Sequence, residues 1–343
     1  MPRSTPVAIG GCCLLLAAVA AEAADPSSSL EAERRAVRYL SQEVPDWPRQ
    51  NHCFSCHNNG DAARALYVAA EMSHAVPPEA LRETTAWLRR PLEWDDAKGD
   101  PGFSDLKLAR IQFAAALTEA FQTGSIPDRA LLIAAAERLA EDQEDDGSWD
   151  IDVPGVVGSP ATYGDTLGTY MARRTLATAG AERFADRIAR ADAWFLAAES
   201  AATVDVAALT LALADRTRGL RQFPAPDEVG RAVRRRLGEA TERILASQNS
   251  DDGWGPFPKA PSEPFDTAIA LLALRAAVEL DSGDGEKIRV SLRQGRAYLI
   301  GAQLPAGGWP ETTRPSGSQS YAQHISTSGW ATLALLKTRG FAE

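Results

Sequence analysis

A seven-residue signature recurs along this chain of 343 residues, and a recurring unit limits the possible folds more than any local propensity. It reads Gln143-Glu-Asp-Asp-Gly147-Ser-Trp149, Gln248-Asn-Ser-Asp-Asp-Gly253-Trp254 and Gln303-Leu-Pro-Ala-Gly307-Gly308-Trp309. Each copy follows an Ala/Leu/Arg-rich helical stretch. Each precedes a polar loop and a second apolar helical stretch, at 167–177, 268–278 and 329–336, headed by Asp165-Thr166, Asp266-Thr267 and Ser326-Thr327. The unit is therefore a helical hairpin with a Gly-Trp turn.

The glutamines are 105 and 55 residues apart, so one copy without its signature is expected near residue 196, beside Trp194. Stepping back by the same period reaches Trp87, Trp94 and Gly99, then Gln42 to Trp47. Six hairpins, about twelve helices, use up residues 24–343 as a single domain. No alternating strand pattern competes. The expected fold class is all-α, an (α/α)6 toroid of inner and outer helices; an open superhelix of helix pairs is the alternative.

With the repeats on the page, a resemblance can be named. These seven-residue Gln-Gly-Trp turns before Asp-Thr-headed helices resemble the repeats of squalene-hopene cyclases and protein prenyltransferase β subunits. The likeness covers Gln143 to the C-terminus well and the first hundred residues by period alone. It implies that Gln143, Trp149, Gln248, Trp254, Gln303 and Trp309 are structural.

Lys plus Arg number 36 against 46 Asp plus Glu, a net charge of -10, and no basic stretch offsets it. Nucleic acid and anionic membrane surfaces are not expected partners. The N-terminus has a charged start at Arg3, an apolar run over 7–20 and Ala21-Glu22-Ala23, the layout of an export signal spanning 1–23. The run is shorter than the roughly 20 residues a spanning helix needs, and no later segment is long and apolar enough. Lipidation at Cys12 is the other reading of this segment. A periplasmic or secreted location is expected. Removal of the signal takes Cys12 and Cys13 with it and leaves Cys53 and Cys56.

Those two stand in Cys53-Phe54-Ser55-Cys56-His57, within a candidate attachment loop at 52–60. Two thiols at this spacing can add to the two vinyl groups of one haem while the following histidine reaches the iron. The string resembles the attachment motif of c-type cytochromes, and an export signal agrees with it. Covalent haem c is the expected cofactor, with His57 as proximal ligand. A Cys53–Cys56 disulfide competes with this reading. So does a zinc site that adds His52 and His57, although four ligands within six residues make a cramped tetrahedron and zinc is not expected.

The repeat places the motif between a first turn at Trp47 and an inner helix from Asp61 onward, with haem at the mouth of the central cavity. Ring closure makes the sixth repeat a neighbour of the first. His324 is thus the first candidate for the far side of the iron, with Met171, Met72 and His74 as rivals and an open sixth site as a further possibility. The cavity below is expected to suit an apolar or isoprenoid-like ligand; a redox protein is the other expected partner.

The cyclase resemblance does not carry its chemistry over. Alignment on the Asp-Thr pair puts Gly164 and Phe265 where an Asp-x-Asp-Asp-Thr motif has its proton donor. Asp150-Ile151-Asp152-Val153 lacks the fourth Asp and the Thr and reads as a solvated loop. No Cys follows Cys56 to complete a prenyltransferase zinc site. Gly307-Gly308-Trp309-Pro310 also resembles polysaccharide-acting toroids, in which Asp165, Asp266, Glu263 and Glu311 would be the carboxylates; a helix-heading Asp is otherwise an N-cap. The expected function is electron transfer or haem-dependent redox chemistry. The alternatives are a terpenoid cyclase or polysaccharide-acting enzyme without haem, and a non-catalytic binding module stapled by a disulfide.

Overall fold

The computed structural model describes residues 26–96, 105–151, 157–222, 227–312, 314 and 320–341. The expected export signal lies outside them, as does Asp152. The described residues contain α-helices, short 3-10 and π-helical turns, and no strand.

Among the described residues, six outer helices alternate with six inner ones. The outer set is α1 (Pro26–Asn51), α3 (Pro78–Leu88), α5 (Arg129–Glu141), α7 (Ala185–Ala197), α9 (Asp227–Ala246) and α11 (Gly285–Gly301). The inner set is α2 (Ala63–Glu71), α4 (Leu106–Gln122), α6 (Asp165–Gly180), α8 (Thr203–Gln222), α10 (Pro264–Val278) and α12 (Tyr321–Lys337). Each inner helix packs on the next, and α12 packs on α2 and on the π-helical turn Cys56–Ala62 that precedes it. The ring is closed, as expected of a toroid.

Sequence decides which helices go inside. In α10 every residue but Arg275 is buried, so no face of it suits water. In α9 the buried set Val233, Leu237, Ala240 and Ile244 makes one stripe, and Arg235, Glu239, Glu242 and Arg243 face out. Helices so crowded with alanine approach closely; a Cβ on Gly329 would lie 2.9 Å from Ala62 Cα.

The three Gln-Gly-Trp turns share one set of bonds. The indole N–H of Trp149, Trp254 and Trp309 donates to the carbonyl ten residues earlier, that of Leu139, Ile244 or Leu299, at 2.7–2.8 Å. Their backbone N–H groups donate to Thr169, Thr267 and Ser328 on the next inner helix at 2.9–3.0 Å. Gln143 spans to the Arg187 carbonyl of α7 at 2.9 Å, and Gln248 to the Ser291 carbonyl of α11 at 3.3 Å. Gln303 reaches the Ala32 carbonyl of α1 at 2.9 Å, so this third turn locks the last hairpin to the first. Gly147 and Gly307 have left-handed φ of 99° and 106°, and a Cβ on either would collide with the carbonyl of Arg190 or Arg35.

The first repeat departs from expectation, whereas the copy near residue 196 lacks the signature as expected. There is no turn at Trp47: α1 runs through Pro45 and Pro48 to Asn51. Near residue 196 the hairpin is joined by the plain loop 198–202, without the signature. No helix among the described residues is long and apolar enough to cross a membrane.

Trp309→Ala should lower the unfolding free energy by about 3–5 kcal/mol, because a fully buried indole and its bond to Leu299 are lost. Gln303→Ala should cost about 1–3 kcal/mol by leaving buried seam carbonyls unpaired. Urea unfolding of both variants checks these values.

Candidate functional site

The motif does not sit in a loop ahead of the first inner helix, as expected; Cys56 and His57 already belong to the π-helical turn. Ser55 caps that turn, its hydroxyl accepting from the N–H groups of His57 (3.1 Å) and Asn58 (3.4 Å). Asn59 answers by accepting from the Ser55 N–H at 3.0 Å, four residues away where an α-helical capping box would use three. The two asparagines pin the turn to its neighbours. Asn58 donates to the Glu43 carbonyl (3.0 Å) and to Tyr321 (2.7 Å), and Asn59 to the Val44 carbonyl (3.2 Å) and Thr84 (2.8 Å). Phe54 stacks on Trp87 at 4.6 Å.

Cys53 and Cys56 are free thiols, and burial pushes the Cys56 thiol up to about 12. Burial lowers His57 to about 4, which keeps its imidazole neutral. His57 Nδ1 lies 3.2 Å from the Ser326 hydroxyl on α12, while Nε2 has no partner among the described residues. Ser326 also sits beside Asp61 and helps to lower its pKa. Among the described residues no three His, Cys, Asp or Glu side chains converge as a metal-ion cluster.

Asp61 is the residue the sequence reading missed. It is buried, and its carboxylate accepts from Tyr163 Oη and from Gln112 Nε2 at 2.9 Å, with the Arg64 guanidinium at 3.5 Å. Arg64 also donates to Tyr163 at 3.2 Å and lies 4.5 Å over the Trp330 ring. Burial raises Asp61 to about 6 against the lowering by Arg64 and the hydrogen bonds. The available signal was Asn58-Asn59-Gly60-Asp61, four small or polar residues directly after the motif.

This layer fills the ring near the N-terminal ends of the inner helices. The open cavity, about 690 Å³, lies beyond it toward their C-terminal ends, with Arg64 and Trp330 in its lining. The motif and the cavity therefore face opposite ways, and the expectation of haem at the cavity mouth is corrected. The lining is not the apolar one expected: Arg173, Arg174, Arg218, Arg275 and Lys337 share it with Leu211, Leu272 and Leu333.

Of the proposed iron ligands, His324 does reach the first repeat, edge-on to Tyr39 at 5.9 Å with Nδ1 3.8 Å from Glu311. Residues two apart on a helix point about 200° apart, so with Ser326 toward His57, His324 faces α1 instead. Met72 and His74 lie past the far end of α2, about 20 Å of helix rise from His57, and His74 bonds Glu33 at 3.2 Å. Met171 lines the cavity on the other side of the Asp61 layer.

Asp165 and Asp266 are not N-caps; Gly164 and Glu263 occupy those positions. Asp165 is half-buried, accepts from the Ile151 N–H at 3.4 Å and is raised by burial. Asp266 has no exposure, pairs with Arg314 at 2.9 Å and is raised to about 7, burial outweighing the arginine. Asp150 is exposed, as read.

No protein-family model matches the chain. A drimenyl diphosphate synthase from Streptomyces showdoensis is 38% identical over 80 residues, 22% of this chain and 14% of that protein. One from Streptantibioticus cattleyicolor is 35% identical over 85 residues, 25% and 14%. The chain thus spans about a seventh of the curated relatives it matches. A family 88 glycosyl hydrolase from Bacteroides vulgatus superposes over 92% of this chain and 99% of its own, with a TM-score of 0.60 at 14% identity. A type II terpene cyclase from Scytonema does so over 92% and 99%, at 0.58 and 12%. The chain therefore has the all-α toroid fold of these enzymes, similar to that of the squalene cyclases.

The raised Asp61 gives a signed pH effect. The folded state binds this proton more tightly than the unfolded chain, so its stabilising contribution is complete below about 3.8 and is lost as pH rises through about 6. The stability of the wild type relative to Asp61→Asn should fall across that window by up to about 1.4 kcal/mol per pH unit. Denaturant unfolding of both proteins from pH 4 to 7 measures it, and a pH-independent difference would exclude it.

Proposed function

We propose that the chain is an exported c-type haem protein on a cyclase-like toroid, with Cys53 and Cys56 as thioether attachment points and His57 as the proximal ligand. The observation that supports this most is the state of His57. Its ring is neutral, Nδ1 is engaged by Ser326 and Nε2 is left free, flanked by two free thiols. That donor set fits haem c. A ligating histidine is held by a hydrogen bond from its other ring nitrogen, and the Ser326 hydroxyl supplies its acceptor. Bound there, haem supplies one-electron redox chemistry.

The rest is done by the chain. Ser326 fixes the ring plane of His57, and the Ser55 cap and the two asparagines hold the turn against α1, α3 and α12. The other methionines and histidines of the mature chain either face away from His57 or lie beyond the Asp61 layer, apart from exposed His52, which adjoins Cys53 with a left-handed φ of 55°. Of these residues, His52 alone would be at hand as a second iron ligand if haem were attached, and without it a small ligand would have access to the iron.

Protein exported from a host with c-type haem maturation should retain haem on a denaturing gel, and its ferrous form should bind carbon monoxide. Replacing both Cys53 and Cys56 by Ala should abolish the covalent haem. His57→Ala should keep some covalent haem with a changed Soret band. Colourless protein in every preparation would refute the proposal.

A second reading, a terpenoid cyclase or polysaccharide-acting enzyme without haem, is favoured by the likeness to drimenyl diphosphate synthases and to the toroid hydrolases. Asp61, protonated to about pH 6, Asp165 and Asp266 are its candidate acids. Under it, Asp61→Asn or Asp266→Asn abolishes turnover of a polyprenyl or uronate-containing substrate. Under the haem reading no such turnover exists to lose.

A further inference from the structure

The cavity at the C-terminal face is unlike the rest of the molecule. The chain carries a net charge of -10, yet among the described residues the cavity is lined by seven cationic side chains and three carboxylates. The partners just behind the wall do not restore balance. Glu119 is shared by Arg174 (2.9 Å) and Lys337 (3.0 Å), and Asp192 by Arg173 (2.6 Å) and Arg216 (2.5 Å). Arg218 bonds Asp215 (2.7 Å) and Glu279 (2.9 Å), and Glu279 also holds Arg275 (2.9 Å). With Asp61 against Arg64, seven cations meet five carboxylates, and two positive charges are left over.

These cations are not there to cap the inner helices. Among the described residues, the guanidiniums that donate to C-terminal carbonyls of inner helices are Arg129, on Thr178 and Ala179 of α6, and Arg296, on Leu335 of α12, and neither lines the cavity. At the floor, Arg64 is 3% exposed and its Nε has no hydrogen-bond partner. A buried guanidinium N–H without an acceptor is costly. Planar guanidiniums pair bidentately with carboxylate and phosphate groups, so an oxyanion is an acceptor suited to this site.

We infer that this cavity is a binding site for a compact, multiply charged oxyanion, a polycarboxylate or a diphosphate, which enters between the C-terminal ends of the inner helices and rests on Arg64. The volume of about 690 Å³ falls in the range of small-molecule sites. Overlap with the motif is excluded by the Asp61–Tyr163–Trp330 layer between them, so the inference stands whether or not haem is attached.

Isothermal titration calorimetry on the full exported chain at low ionic strength tests it, with citrate and inorganic pyrophosphate as separate probes. Saturable one-to-one binding of either is expected, tighter citrate binding marking a carboxylate ligand and tighter pyrophosphate a phosphate one. Arg64→Gln should weaken binding about tenfold or more, and Lys337→Gln and the half-exposed Arg275→Gln, which leave the core intact, several-fold. Absence of saturable binding by both probes, or affinities unchanged in Lys337→Gln and Arg275→Gln, would overturn the inference.

Discussion

The hydrogen bond from Gln303 on the last turn to the Ala32 carbonyl on the first helix is the contact on which the rest of the molecule depends. It uses the geometry with which Gln143 ties α5 to α7, so ring closure is one more instance of the repeat. A guanidinium accompanies the glutamine in both places, Arg190 on Gln143 and Arg35 on Gln303. Behind this seam buried Glu33 receives Arg296 at 3.5 Å and Arg339 at 2.9 Å, an ion group that is costly to desolvate and costlier to break. Closure brings α12 against the π-helical turn, and only then does Ser326 meet His57.

From closure follows a division of the ring into two faces. A layer of Asp61, Arg64, Tyr163 and Trp330 crosses the lumen, joined by hydrogen bonds and a cation–π contact. On one side lies the Cys53–His57 turn, with a neutral imidazole and two free thiols. On the other lies a cavity with excess positive charge in an acidic protein. A single charged pair, Asp61 and Arg64, faces both sides: the carboxylate sits beside Ser326, the partner of His57, and the guanidinium lines the cavity.

The architecture was legible because the Gln-Gly-Trp turn is a local device whose residues all perform one task, and its period counts the hairpins. Trp149, Trp254 and Trp309 are fully buried and identically bonded, as the spacing implied. The N-terminal repeats were less legible. Pro45 and Pro48 suggest a turn, but packing of α1 on α3 and α12 carries the helix through them. The motif at Cys53 was found from spacing, whereas its surroundings were not, since Asp61, Gln112, Tyr163 and Ser326 come from four different hairpins. Periodicity placed Met72 and His74 at the end of the first inner helix, where they are found, and that end lies away from the motif. The cationic cavity escaped notice because its residues are scattered one or two per helix.

The central claim, that this toroid carries haem through Cys53 and Cys56, is tested most directly by intact and fragment mass spectrometry of the exported chain. The account predicts the mass of the processed chain plus one haem, with the addition localised to the peptide holding both cysteines. A chain with both thiols unmodified, or lighter by the two hydrogens of a Cys53–Cys56 disulfide, would contradict it.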